Sequence, residues 1–335
     1  MICRCLLLSL GPLLTLIPAE ASGGDLNPPG PPGSTMVTLE EIASAQDPRI
    51  PITAVPVTIE EAGSYYLTGD MYLGSGAGTA HAISVRASGV TIDLNGYTLW
   101  ASSLAEGGGI IQPLGDRARV FNGTVQSFAQ DGISLGDDSQ VHDVIVVSND
   151  LAGVSVGENS IVFRVTADNN HEGGIVAGHG SAVTQCTATR NFRGGIITGT
   201  GCTITDNTCR YITSSGGLAG IGASSECLVS GNTCTDNPTG IEVGSRCLVT
   251  GNNICGNSGN GLLVPGSGCR IDSNHVADNG ISGIRVLGTD NIVVRNTAFN
   301  NSTANYTISA GNFAAQQIAP SAGMANTDPW ANFSF

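Results

Sequence analysis

The chain has no lysine. That absence excludes a lysine base, a Schiff-base nucleophile and an ammonium clamp on phosphate. Its 13 cations are all arginine, dispersed along the sequence and outnumbered by 27 acids, so the formal net charge is −14 and the pI near 4.5. Without a basic face, nucleic acid is excluded as a partner. A free polyanion would also be repelled unless bound cations bridged it. Charged residues are only 12% of the chain, which suits tight coils with little surface decoration. Past the N-terminus no apolar run reaches the roughly 18 residues of a membrane span. No Cys-x-x-Cys pair occurs, so the usual zinc signature is missing. No cofactor is expected; a calcium ion is conceivable, and no metal ligand set is assigned.

What the chain has in excess is glycine, 47 residues, and the glycines recur. From Gly132 the pattern restarts at Gly153, Gly174, Gly195, Gly220, Gly240, Gly261, Gly283 and finally Asn305, in steps of 21, 21, 21, 25, 20, 21, 22 and 22 residues. A fixed period in this range marks stacked supersecondary units. Each glycine is followed by Ile133, Val154, Ile175, Ile196, Ile221, Ile241, Leu262 or Ile284, with a further small or apolar residue two places on. That i, i+2 spacing is a strand with one face inward. A second apolar column runs from Val141 through Val162, Val183, Ile204 and Val229 to Val293, and a third from Val146 through Ala167, Ala188, Cys209 and Cys234 to Ala298. Such short β-branched runs are strands, not helices. No coil can bury its apolar side alone; stacking does that.

The turns carry polar columns. Asn207, Asn232, Asn252, Asn274 and Asn296 stand between the second and third strands. Asn149, Asn170, Asn191, Asn237, Asn257, Asn279 and Asn301 follow the third. Stacked amides can hydrogen-bond along the repeat, and Asn accepts the left-handed backbone that a sharp corner needs. Cys202, Cys227, Cys247 and Cys269 share a column with Ser139, Ser160, Ser181 and Asn291, and Cys186 sits in an asparagine column. Buried unpaired thiols and vertical disulfides such as Cys202–Cys227 are both compatible with this spacing.

Repeats such as Gly240-Ile241-Glu242-Val243 and Val229-Ser230-Gly231-Asn232-Thr233, with the opening Val90-Thr91-Ile92-Asp93-Leu94-Asn95-Gly96, resemble the right-handed parallel β-helix, or pectin-lyase-like, superfamily. The resemblance runs from about Ile52 to Ile308. It implies an all-β, right-handed parallel β-helix solenoid, three short strands per coil, about 21 residues per coil, capped at both ends. It implies no activity, because a fold hosts many functions. Polygalacturonase-type members carry Asn-Thr-Asp, Asp-Asp, Gly-His-Gly and Arg-x-Lys in that order. Here Asp137-Asp138 precedes Gly178-His179-Gly180, but Asn326-Thr327-Asp328 falls at the wrong end and Arg-x-Lys is impossible without lysine. No acidic cluster with an arginine matches the calcium-dependent lyases, and no His/Met cluster matches the β-helices of nitrous-oxide-reductase maturation.

Residues 1–21 read as a secretory signal: Arg4, an apolar Leu6–Ile17 segment, and a small-x-small site ending at Ala21. The expected product is secreted, periplasmic or on the cell surface. Residues 22–50 form a Pro/Gly-rich linker and a short helix over 37–47, residues 51–308 the β-helix, and residues 309–335 a capping tail whose aromatics plug the core. Residues 213–217 carry an insertion, and insertions in repeats collect on the binding face. The candidate catalytic row is Asp137, Glu158 and His179, which stacking would align at about 4.8 Å steps for acid–base work. The expected function is a monomeric module contacting polysaccharide or cell-surface glycan, without catalysis. The competing expectation is a carbohydrate-active hydrolase or lyase using that row.

Overall fold

A computed structural model describes residues 47–213, 219–319 and 328–335. The chain divides into two compact units, Met1–Pro48 and Arg49–Phe335. The expected signal segment, linker and short helix, and most of the 213–217 insertion, lie outside the described residues. The second unit is the solenoid. Among the described residues the helical content is one 3₁₀ turn, Ser75–Ala77, and no helix is long and apolar enough to cross a membrane.

Every pairing is parallel and follows the repeat. Ile133 pairs with Val154, Val154 with Ile175, and Ile175 with Ile196. The first strands of successive coils build a 12-stranded sheet, and the second and third strands build one of 24 strands. Those two columns join because Arg119–Gln126 and Gln140–Val147 run unbroken through the corner between them. First strands bury their outer two residues and leave the middle one half-buried. Second and third strands bury the middle one. The three apolar columns meet along the axis, and Ile196, Val229 and Val276 are 0% exposed.

The corners hold the buried polar residues. Asn191 Oδ1 accepts both the backbone N–H and the Nδ2–H of Asn170, at 2.9 and 3.0 Å, while Asn191 Nδ2 donates to the Ala167 carbonyl at 3.0 Å. The bonds repeat along Asn237, Asn257, Asn279 and Asn301 and along Asn207, Asn232, Asn252, Asn274 and Asn296. The left-handed backbone expected of these asparagines falls instead on the residue before each. Asn169, Arg190, Asp206, Asp236 and Asp278 have φ of 54, 53, 58, 58 and 56°. A non-glycine residue pays roughly 1–2 kcal/mol for this. The turn is held because the next residue accepts the preceding coil's backbone N–H.

At the remaining corner the same acceptor is a hydroxyl, a thiol or, at Asn291 and Asn312, an amide. Ser139 N–H donates to Ser160 Oγ at 3.0 Å, and Cys202, Cys227 and Cys247 N–H donate to the next cysteine's Sγ, each at 3.4 Å. The eight cysteines among the described residues are free thiols. Burial pushes the Cys186 thiol up to about 12 and raises that of Cys209, which keeps both protonated and unreactive.

The tail adds short strands to the last coil. Asn332–Ser334 pairs with Thr297–Phe299, and Asn332 Oδ1 closes an asparagine ladder by accepting Asn296 N–H at 3.0 Å. The aromatics expected to plug the core lie outside it: Phe313, Trp330 and Phe335 are 67, 47 and 58% exposed. The end of the core is Tyr306, whose hydroxyl donates to the Asn296 and Phe333 carbonyls at 2.8 and 2.9 Å. Trp330 stacks over Arg295 and Arg270 at 5.2 and 5.8 Å. Both guanidiniums bind the buried Asp272 carboxylate, Arg295 through Nε at 2.7 Å and Arg270 through Nε at 2.9 Å.

Two outcomes are expected. Val229→Asp places an unpaired carboxylate in the core and should cost several kcal/mol, whereas Leu228→Asp, on the outward side, should cost far less; equal melting losses would show the register to be wrong. Arg295 holds the Asp272 carboxyl down to about 2, below the ordinary value of about 3.9. Its contribution is complete above about pH 4 and lost as pH falls toward about 2. Trp330 fluorescence should change over that window, and Asp272→Asn should remove the step.

Candidate functional site

Asp137, Glu158 and His179 stack at the corner after the first strand, and all three are exposed. The structure also gives that column a hydrogen-bonding role. Asp137 Oδ1 accepts Glu158 N–H at 2.7 Å, and His179 Nδ1 accepts Thr200 N–H at 2.8 Å. Farther along, Ser225, Ser245 and Ser267 hydroxyls accept the next coil's N–H at 3.1, 3.1 and 3.0 Å. Gly157 is required here, since a Cβ would lie 2.1 Å from Asp137 Oδ1. With Nδ1 occupied as an acceptor, the neutral His179 ring carries its proton on Nε2 and faces solvent as a donor.

A second arrangement lies at the corner between the third and first strands. There the ladder asparagine is buried, so the following residue turns outward. Asp150, His171, Phe192 and Thr213 occupy this place in successive coils; their N–H groups bond to the carbonyls of Phe128, Asn149, Asn170 and Asn191 at 2.8, 2.9, 2.9 and 3.2 Å. They line a recess of about 250 Å³ with Ser148, Asn169 and Arg190. Thr213 also lines the adjoining recess of about 560 Å³, with Asp236, Pro238, Ser258 and Gly259. The first recess crosses four successive coils along the stacking direction, from Asp150 to Thr213. The His171 and Phe192 rings lie 4.8 Å apart at 51°.

Arginines on these coils, Arg190 of the recess lining among them, are already engaged. Arg190 is paired with Asp168, Arg193 with Glu172 at 3.0 Å, and Arg210 with the Tyr211 hydroxyl at 2.7 Å and Asp236 at 3.8 Å. Asp168 Oδ1 and Arg210 Nε are buried without a hydrogen-bond partner. On the same corner Asp131 accepts Ala152 N–H at 2.9 Å. Burial pushes its carboxyl up, with a smaller push from the Glu172 charge, against the lowering effect of its hydrogen bonds. Among the described residues no group of three or more His, Cys, Asp and Glu is placed to hold a metal.

Sequence reasoning found the first column and missed the second. The signal was present: the residue after each ladder asparagine is itself a column, but a varied one. Deleting a rung tests the structural role of the first column. His179→Ala should lower stability by about 1 kcal/mol, the usual worth of one hydrogen bond, measured by denaturant titration; no change would show the rung carries nothing.

Residues 108–254 and 182–318 match the family described as the right handed beta helix region. Among solved structures the Dettilon tailspike protein superposes with a TM-score of 0.51 at 15% identity, over 85% of this chain and 61% of the tailspike chain. The chain thus spans about three fifths of that protein's length. The periplasmic alginate epimerase AlgG gives 0.54 at 12% identity, over 84% of this chain and 76% of that one. The A-module of Azotobacter vinelandii mannuronan C-5 epimerase AlgE4 gives 0.58 at 12%, over 79% and 87%. At such identities the likeness is one of fold. No curated protein sequence matches the chain.

Proposed function

The chain belongs to the right handed beta helix family, and from that premise we propose that it is a glycan-contacting module of the cell exterior or periplasm. It holds an extended polysaccharide in the groove lined by Asp150, His171, Phe192 and Thr213. One observation carries this reading: the recess lined by Asp150, His171, Phe192 and Thr213 runs across four coils, so successive coils present one position each to successive units of a linear polymer. Phe192 and His171 supply ring surface beside polar rungs, the mixture that sugar-sized ligands use. Two structural neighbours are epimerases of alginate and mannuronan, so the same solenoid serves polysaccharides elsewhere. The N-terminal signal reading supports the location and the single solenoid a monomer.

A second reading, glycan cleavage by a hydrolase or lyase, is favoured by Asp131. Burial pushes its carboxyl above the ordinary range, the direction in which a general acid is tuned. The outward row of Asp137, Glu158 and His179 is the other place for such chemistry.

A glycan panel screened for binding, reducing ends and unsaturated products separates the two. The contact reading expects binding that Phe192→Ala weakens roughly tenfold, about 1.4 kcal/mol, with no product formed. Binding unaffected by Phe192→Ala would remove the groove. Product formation would support cleavage; loss in Asp131→Asn would place it at the Asp131 corner, and loss in Glu158→Gln or His179→Ala at the outer row.

A further inference from the structure

A second surface suited to sugars lies in the first two coils, before the recess. Their third strands, Met71–Leu73 and Thr98–Ala101, pair so that Tyr72 stands beside Trp100 with both side chains outward. Thr124 and Gln126 continue the rows of Thr98 and Trp100 into the next coil. Tyr72 is 52% exposed, and its ring lies 5.6 Å from that of Trp100 at 42°. The rings of Phe121, His142 and Phe163 stack within 17° of parallel and cover one another's faces. The tilt of Tyr72 against Trp100 leaves ring surface open. Among the described residues the Tyr72 hydroxyl, the Trp100 indole N–H and the Gln126 amide make no hydrogen bond. Tyr and Trp of this kind offer an apolar face and a free polar tip. None of the side chains in these rows is charged at neutral pH; Asp70, at their edge, accepts the Thr98 N–H at 2.8 Å.

The corner beside the pair is enlarged. The connections after these two strands span 74–82 and 102–109, where later coils use only 148–153 or 236–240. The long connections bond to each other: Glu106 N–H donates to the Gly78 carbonyl at 2.8 Å, and Gly108 N–H to His81 Nδ1 at 3.0 Å. Leu104, 72% exposed, stands in the second. Insertions in a repeat collect on the binding face, and these adjoin the Tyr72–Trp100 pair.

Resting on the glycan reading above, we infer that Tyr72 and Trp100 form a second saccharide site, distinct from the recess, which takes neutral pyranose units by their C–H faces. The two rings receive the apolar faces, and the Tyr72 hydroxyl, the Trp100 N–H and the Gln126 amide meet the sugar hydroxyls. Adjacent coils stand about 4.8 Å apart, so neighbouring units of one extended chain reach neighbouring rings. The net charge of −14 repels anionic chains, and these rows hold no guanidinium to attract them.

The test uses the chain's two tryptophans, Trp100 and Trp330. Trp330→Phe leaves Trp100 as the sole indole reporter. The full chain carrying that change is titrated with hexamers of glucose, N-acetylglucosamine and galacturonate at about 150 mM salt, by fluorescence and by calorimetry. A neutral hexamer should shift Trp100 emission, and Tyr72→Ala should weaken that response roughly tenfold, with Tyr72→Phe losing less. Phe192→Ala, in the recess, should leave it unchanged. If Tyr72→Ala lowers the thermal melt, Gln126→Ala carries the test and should weaken the same response. Unchanged Trp100 emission, with calorimetry recording binding that Phe192→Ala removes, overturns the inference and leaves the glycan reading standing. A response equal in Tyr72→Ala, lost in Phe192→Ala, or larger for galacturonate overturns it too. No heat and no emission change with any hexamer sinks both.

Discussion

At every corner of the solenoid a backbone N–H points along the stack into a space that water does not reach. An unpaired buried donor is costly, so most coils place an acceptor at that point, although Ile212 and Val165 stand in ladder positions without one. Asparagine does so at two corners, and serine, cysteine or asparagine at the third. This requirement sets the period, because the acceptor must return once per coil. The residue before it lies in the left-handed region, as Tyr211 and Arg164 also do before Ile212 and Val165, so the turn belongs to the corner itself. Strain at Asp206 or Arg190 is tolerated because the bonds around it leave the turn no alternative.

The same constraint creates the surface on which ligands act. A buried ladder residue turns the next side chain outward, and stacking lines those side chains up at one per coil. Where the ladder uses Asn149, Asn170 and Asn191, the outward residues are Asp150, His171 and Phe192. A groove on a solenoid is thus a by-product of corner chemistry. Its composition is free to vary, since nothing in the core depends on it. The outer row of Asp137, Glu158 and His179 differs: there the side chains themselves bond the neighbouring coil, and the stack uses them.

Electrostatics at the corners is largely settled within the protein. Arginines meet carboxylates one coil away, as in Arg164 with Asp143 at 2.6 Å and Arg246 with Glu226 at 3.0 Å. Exposed pairs of this kind add little stability. Arg190, which lines the recess, is engaged in this way with Asp168.

Much of this was legible in the sequence. The glycine period, the three apolar columns and both asparagine columns are repeats of single positions, and the strands form where those positions lie. The Cys/Ser column was legible for the same reason: one corner asks for one small acceptor. Three features were decided only by the folded stack. The left-handed turns fall on residues as different as Asn169, Arg190 and Asp236, so no residue type announces them. Trp330 and Phe335 look like core material by hydrophobicity, yet Trp330 lies over Arg270 and Arg295 and Phe335 on Phe299. The groove depends on which arginines find carboxylates about a coil away. Periodicity fixes where a residue sits within its coil, and only the neighbouring coil decides what it touches.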